Sequence, residues 1–156
     1  MKRQIFLILT ILITFLLACR KEHVSNDICD CASSQSTIVI DTITLTIPNL
    51  ITPNSDGQND AWQIKNIDKF PDAKIKVTRP GLLGGTVFES VGYKQDWGGD
   101  KKNNKVLKEG KYKYEITIND QAYTGFVCVF GLDSKPESYD CLKSCVVTNQ
   151  GDPYVY

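Results

Sequence analysis

The sequence predicts an all-β protein built as an antiparallel β-sandwich, which follows a signal peptide and a polar tether. Short runs rich in β-branched and aromatic residues alternate between apolar and polar positions, and Gly, Pro, Asn and Asp separate these runs. No segment carries a convincing apolar period of 3.6 residues, which an amphipathic helix requires. Several short strands joined by turns favour a sandwich over other all-β arrangements.

The N-terminus has the layout of a bacterial lipoprotein signal. Lys2 and Arg3 precede an apolar run, Ile5–Leu17, that is too short to span a bilayer comfortably. Small Ala18 then precedes Cys19, so that Leu-Leu-Ala-Cys resembles a lipobox. We expect cleavage before Cys19 and lipidation of its thiol, because two or more acyl chains anchor a protein stably. The alternatives are a plain cleaved signal with an incidental Cys and an uncleaved anchor.

Composition changes divide the chain into four parts. Residues 1–18 form the signal peptide, 19–36 the lipid-anchored polar tether, 37–130 the sandwich and 131–156 a tail that contains Cys. The mature chain of 138 residues carries 16 basic and 18 acidic residues. A net charge near −2 gives no basic stripe for nucleic acid and no polybasic patch for a membrane. We therefore expect membrane contact through the N-terminal lipid and no nucleic-acid partner.

The strands follow in order along the sandwich. Residues 37–47 predict strand with one or two breaks, and Pro48 and Pro53 end it. Asn66–Phe70 predicts a single helical turn. The further predicted strands are Ala61–Ile64, Lys74–Thr78, Thr86–Ser90, Lys111–Asn119 and Ala122–Phe130.

The last two strands give the clearest pattern. Asn119-Asp120-Gln121 between them predicts a hairpin turn. In the first strand, alternation places four apolar residues on one face: Tyr112, Tyr114, Ile116 and Ile118. In the second, it places three residues on one face: Phe126, Cys128 and Phe130.

The cysteines form two groups around the sandwich. Cys29 and Cys31 precede it, and Cys141 and Cys145 follow it. An exported chain meets oxidising conditions, so we expect at least one disulfide between the two groups. A four-Cys zinc site is the alternative, but the spacing does not match the usual knuckle pairs. We expect Cys128 to be a free, buried core thiol.

The loop Asn54–Asp60 concentrates short oxygen-bearing side chains around Gly57. We favour an Asx-rich turn in which Gly57 adopts a positive φ. Calcium binding is the alternative, although the twelve-residue calcium loop and its terminal Glu are missing.

The sequence indicates no enzyme and no cofactor. The only His is His23, in the tether, and Gly81–Gly85 lacks the Lys and Ser/Thr that complete a phosphate loop. Five aromatic residues form either a sugar-binding face or, more often for such residues, part of the core: Trp62, Tyr93, Trp97, Tyr112 and Tyr114.

The order of motifs resembles the gliding motility-associated C-terminal domain, the type B sorting domain of type IX secretion cargo in Bacteroidota. The resemblance covers residues 46–130. It is carried by residues 48–62 (PNLITPNSDGQNDAW), 64–71 (IKNIDKFP), 86–93 (TVFESVGY), 96–98 (DWG), 107–116 (LKEGKYKYEI) and 125–127 (GFV). It implies an Ig-like β-sandwich and a non-enzymatic role at the cell surface.

Two features depart from that family's pattern. Residues 79–85 (RPGLLGG) replace the family's usual Asn-Arg-Trp-Gly turn. The family usually ends a large cargo protein, whereas here the domain follows a lipobox and precedes residues 131–156. The leading hypothesis is therefore a non-enzymatic outer-membrane lipoprotein with an Ig-like module and an envelope protein partner, linked to type IX secretion or gliding. The alternatives are a glycan- or calcium-binding surface module and a remnant of secreted cargo.

Overall fold

A computed structural model of the chain describes residues 31, 34–81, 84–99, 107–131 and 144–149. These residues form an all-β fold with no α-helix, which confirms the predicted fold class. In this described part no helix is long and apolar enough to cross a membrane. The strands are β1 (Thr37–Ile40), β2 (Ile43–Thr46), β3 (Leu50–Ile51), β4 (Lys74–Thr78), β5 (Thr86–Val91), β6 (Gly110–Ile118) and β7 (Gln121–Val129), and a 3₁₀ turn spans Ile67–Lys69.

The strands form two sheets. β1 and β2 make an antiparallel pair, in which Thr37 lies opposite Thr46. The other sheet has five strands in the order β3-β7-β6-β4-β5. All its neighbours are antiparallel except β3 and β7, which run parallel through Leu50 and Ile51. The β6–β7 hairpin is the longest pairing among the described strands, and β6 is the middle strand of the larger sheet.

Most predicted elements are confirmed. β4 has the predicted bounds, and β6 and β7 lie within one residue of them. Asn119 and Asp120 have φ values of 50° and 63°. Two adjacent residues with positive φ are characteristic of the type I′ turn that joins β-hairpins. The predicted helical turn is the 3₁₀ turn.

Two elements differ from the prediction. Ala61–Ile64 is not a strand, because its backbone makes an isolated hydrogen bond to a loop rather than a ladder. The Trp62 N–H donates to the Trp97 carbonyl at 2.8 Å. The short strand β3 was not predicted, since the flanking Pro48 and Pro53 indicate the end of a strand.

The core lies between the two sheets and is centred on Trp62. Its indole is fully buried and donates from Nε1 to the Pro48 carbonyl at 2.6 Å. The ring centroid lies 5.3 Å from that of Tyr114 and 5.7 Å from that of Trp97. Ile38 of β1 and Leu45 of β2 belong to the same buried cluster, so the smaller sheet covers the larger one. The four apolar β6 residues predicted to share a face all belong to this core: Tyr112, Tyr114, Ile116 and Ile118.

Gly125 makes room for the aromatic core within the hairpin. It lies directly opposite Tyr114 in the β6–β7 register. A Cβ at this position would clash with the Tyr114 phenol and would lie 2.8 Å from Ser34 Oγ. Tyr114 in turn donates to the Gln35 carbonyl at 3.0 Å. The missing side chain therefore lets the Tyr114 ring reach the N-terminal segment.

We expect Gly125→Ala to lower the free energy of unfolding by about 1–3 kcal/mol, because the added methyl overpacks the hairpin. Gly85→Ala is the matched control, since a Cβ there meets nothing within 4 Å. Its expected effect is within about 0.5 kcal/mol. Urea unfolding of both variants measures the difference. Equal effects of the two substitutions would contradict this account of Gly125.

Candidate functional site

A second apolar cluster lies on the outer face of the larger sheet, away from the main core. Its buried members are Cys31, Leu50, Cys128, Phe130, Cys145 and Val147. They come from the two ends of the described chain and from the adjoining strands β3 and β7, and we call this cluster the chain-end junction. Alternation along β7 creates it, because Val127 and Val129 face the main core while Cys128 faces outward. The prediction that Phe126, Cys128 and Phe130 share a face is confirmed, but that face lies opposite the main core.

The described residues before β1, which are 31 and 34–36 and which we call the N-terminal segment, are fixed to β7 by a disulfide between Cys31 and Cys128. The two Cα atoms lie 6.0 Å apart, and 97 positions separate them in sequence. β3 pairs only with Cys128 and Val129, the last two residues of β7. The edge of β7 before these residues is therefore not paired with β3. Ser34 covers this edge, since its Oγ accepts the Phe126 N–H at 2.8 Å. A covalent link and an edge hydrogen bond thus hold the same segment.

The disulfide corrects the sequence prediction in two respects. Cys31 pairs with Cys128 and not with Cys141 or Cys145, and Cys128 is buried but is not a free thiol. The physical reason is that Cys128 lies on the outer face of β7, where the N-terminal segment passes, and not in the main core. Cys19, Cys29 and Cys141 lie outside the described residues. Cys145 lies in the chain-end junction, where burial raises the pKa of its thiol to about 11.

Two buried asparagines hold residues 144–149, which we call the C-terminal segment. They bind the main-chain groups of this segment. The Asn49 N–H donates to the Val146 carbonyl at 2.9 Å, and Asn49 Oδ1 accepts the Val146 N–H at 2.8 Å. Asn59 repeats the arrangement, since its Oδ1 accepts the Asn149 N–H at 2.8 Å and its Nδ2 donates to the Asn149 carbonyl at 2.9 Å. Each pair reproduces the two-bond exchange of paired strands. The asparagines therefore recognise backbone groups.

Asn49 also connects this segment to the sheet. Its carbonyl accepts the Cys128 N–H at 2.8 Å, within the parallel pairing of β3 and β7. Asn49 is 1% exposed, and its Nδ2 is buried without a hydrogen-bond acceptor. A buried amide donor without an acceptor costs about 1–3 kcal/mol. Asn49, which lies beside the chain-end junction, thus has one buried amide donor that makes no hydrogen bond.

The Asn54–Asp60 loop has the hydrogen bonds of an Asx-rich turn. Asp60 accepts the Ser55 N–H at 2.6 Å and the Gly57 N–H at 2.7 Å, one on each carboxylate oxygen. Asp56 accepts the Gln58 N–H at 2.7 Å. Gly57 has a φ of 85°, as predicted. The carboxylates therefore shape the loop by binding its own amides, and the loop presents Asn59 to the C-terminal segment.

The aromatic residues do not form a sugar-binding face. All five that the sequence singled out are buried, from 0% exposure for Trp62 to 6% for Tyr93. They pack against one another in the core, which excludes the glycan hypothesis for these rings. Within the described residues no cluster of three or more His, Cys, Asp or Glu side chains is arranged to hold a metal ion.

Comparison with known proteins places the sandwich in a family. A model of the CHU_C type IX secretion signal domain matches residues 45–129, which is more than half of the 156-residue chain. The chain belongs to this family. The resemblance inferred from the sequence motifs is thereby confirmed, and the chain is linked to type IX secretion as a cell-envelope or secreted protein. No curated protein and no solved structure matches the chain.

The two apolar clusters differ in how many of their residues lie within the segment that the family model matches. Among the buried residues of the main core, only Ile38 lies outside the matched segment. Four of the six residues of the chain-end junction lie outside it: Cys31, Phe130, Cys145 and Val147. The residues that flank the family segment therefore build most of the outer cluster.

Sequence reasoning missed the role of Asn49 and Asn59. Both stand within the motif at residues 48–62 that carried the family resemblance, and Asn59 also lies in the loop where the Asx-rich pattern indicated a turn. Their pairing partners lie 97 and 90 positions away, and no local periodicity reports such a contact. The one available signal was the spacing of Cys145 and Val147, two apolar residues two positions apart in an otherwise polar tail.

We expect Cys31→Ser to lower the free energy of unfolding by about 2–5 kcal/mol, because the disulfide closes a loop of about 100 residues. Denaturant unfolding of the wild type and of the variant measures the loss. A reductant should lower the wild type to the level of the variant and leave the variant unchanged. A variant as stable as the oxidised wild type would contradict a stabilising role of this link.

For the Asn54–Asp60 loop, Asp60→Ala should lower the free energy of unfolding by about 0.5–2 kcal/mol through loss of two amide hydrogen bonds. Asp72→Ala, at an exposed position, is the charge-matched control and should change it by less than about 0.5 kcal/mol. Calcium should leave the melting temperature of the wild type unchanged. A melting temperature that rises with calcium in the wild type but not in Asp60→Ala would identify a calcium site instead.

Proposed function

We propose that the protein is a non-enzymatic lipoprotein of the outer membrane, anchored through Cys19, whose Ig-like sandwich acts as an interaction module of the type IX secretion or gliding machinery. The observation that carries this proposal is the chain-end junction. Both ends of the described part of the chain pack on the outer face of the sheet, and most of the residues that do so flank the family segment. A sorting signal is recognised by other proteins as a free terminal domain. Flanking segments packed on its sheet would have no role in that recognition.

The position of the disulfide supports an anchored module. Cys31 is the point at which the N-terminal segment is fixed to the sandwich, twelve positions after Cys19. A chain of that length spans at most about 40 Å when fully extended. A lipid on Cys19 would therefore hold the sandwich within about 40 Å of the membrane surface. The partner in this proposal is an envelope protein that reaches the module at this height.

The alternative of secreted cargo has one observation in its favour, which is membership of the secretion signal family itself. The two functions differ in where the mature protein is found. An anchored module stays with the outer membrane, whereas cargo that has lost its signal passes into the medium or onto the surface without this lipid. One experiment on the native protein therefore separates them.

We expect Cys19→Ser to abolish acylation and to release the protein from membranes or leave it unprocessed, because no thiol then accepts the lipid. Fractionation and mass spectrometry of the mature N-terminus measure both effects. Cys29→Ser, ten positions further along the tether, is the matched control and should remain acylated. A wild-type protein recovered from the medium with an unmodified N-terminus beyond residue 19 would reject the anchor and favour cargo.

A further inference from the structure

The C-terminal segment packs beside Asn49 and Asn59, which bind its main-chain atoms. Asn49 and Asn59 bind both backbone groups of Val146 and of Asn149, respectively. Gln63 adds a carbonyl that accepts the Thr148 hydroxyl at 3.4 Å. Because backbone groups are the same in every peptide, these four amide contacts do not depend on the side chains of the occupant. Recognition of this kind is used when an extended peptide is added beside a sheet.

The side chains of the occupant contribute a simple pattern. Cys145 and Val147 are 5% and 6% exposed and pack into the chain-end junction, whereas Thr148 and Asn149 are exposed. Both side chains belong to the same buried cluster. The segment carries no charged residue between 144 and 149. The groove therefore fits an uncharged segment with apolar residues two positions apart.

The present occupant leaves one donor of the groove unused. Asn49 Nδ2 is buried and has no acceptor, although Oδ1 of the same side chain binds the C-terminal segment. An occupant with an acceptor at this point would remove the cost of an unsatisfied donor. The fit between the groove and its own segment is thus incomplete at one named atom.

We propose that Asn49, Asn59 and Gln63 form a peptide-binding groove, and that the C-terminal segment is a ligand in cis which an extended segment of a partner protein replaces. The partner segment has the pattern described above and supplies an acceptor to Asn49 Nδ2. This proposal does not depend on the lipid anchor. Residues 132–143 connect the sandwich to the segment, so its release from the groove requires no break in the larger sheet.

Release of the C-terminal segment is tested in the full chain. Val147→Asp places a carboxylate at a buried apolar position and should displace the segment while leaving the groove residues intact. Thr148→Asp adds the same charge at the neighbouring exposed position and is the matched control. Val146→Pro is a second releasing variant, because it removes the N–H that Asn49 Oδ1 accepts.

The binding probe is a fluorescein-labelled peptide of residues 143–150 that carries Cys145→Val, which keeps an apolar side chain at that position. We expect Val147→Asp and Val146→Pro to bind the peptide at least tenfold more tightly than the wild type or Thr148→Asp. Adding Asn59→Ala to Val147→Asp should weaken binding at least tenfold, because two main-chain contacts are lost. Releasing variants that keep the protected amides of β6 and yet bind no peptide would overturn the proposal.

Hydrogen exchange of the wild type tests the proposal without any substitution. The amides of Val146 and Asn149 should exchange faster than those of β6 and β7, because release of the segment is local opening. Exchange of all these amides at one rate would mean that the segment opens only when the whole domain unfolds, and would overturn the proposal. A concentration-dependent dimer that Asn59→Ala abolishes would assign the groove to a second copy and overturn the choice of partner.

Discussion

The constraint on which the rest of the structure depends is that the C-terminal end of β7 is buried on both faces. Val127 and Val129 face the main core, while Cys128 and the following Phe130 face outward and are equally buried. A sandwich covers only the inner face of such a strand. The outer face therefore requires further chain, and the residues on either side of the family segment supply it. Burial of these apolar groups is the driving force, at about 25 cal/mol per Å² of apolar surface removed from water.

The two covering segments are held by different chemistry, because they meet different parts of the sheet. The N-terminal segment crosses an open strand edge, where Ser34 accepts an amide and the disulfide fixes Cys31. The C-terminal segment meets irregular backbone that offers no ladder of its own. The amide side chains of Asn49 and Asn59 replace that ladder, since each presents a donor or acceptor beside the backbone it must pair. One end is thus fixed covalently and the other by reversible bonds.

The sequence pattern predicted those strands and turns that depend on neighbouring residues alone. β4, β6 and β7 have strong alternation, and two residues with positive φ form the hairpin turn, so their bounds were predicted within a residue. The Trp62 segment was predicted as a strand because its apolar content is high, but its backbone is satisfied by a loop contact. The disulfide was predicted with the wrong partner for Cys31. Contacts across 90 or more positions depend on which face each strand presents, and alternation alone does not reveal which face is the inner one.

The geometry of the larger sheet separates the covered end of the module from its other end. Cys128 lies near the end of β7, and the hairpin turn at Asn119 and Asp120 lies at its beginning, about 25 Å away at 3.3 Å per residue. A shallow cavity of about 130 Å³ adjoins that turn and is lined by Lys69, Phe70, Pro71, Asp72, Ala73, Ile118 and Asn119. With the lipid that we propose on Cys19, the disulfide and the proposed peptide groove would lie at the membrane-proximal end of β7. A partner segment bound in the groove would then come from a protein that is itself held near the same membrane, whereas the hairpin end would be the part that is presented farther out.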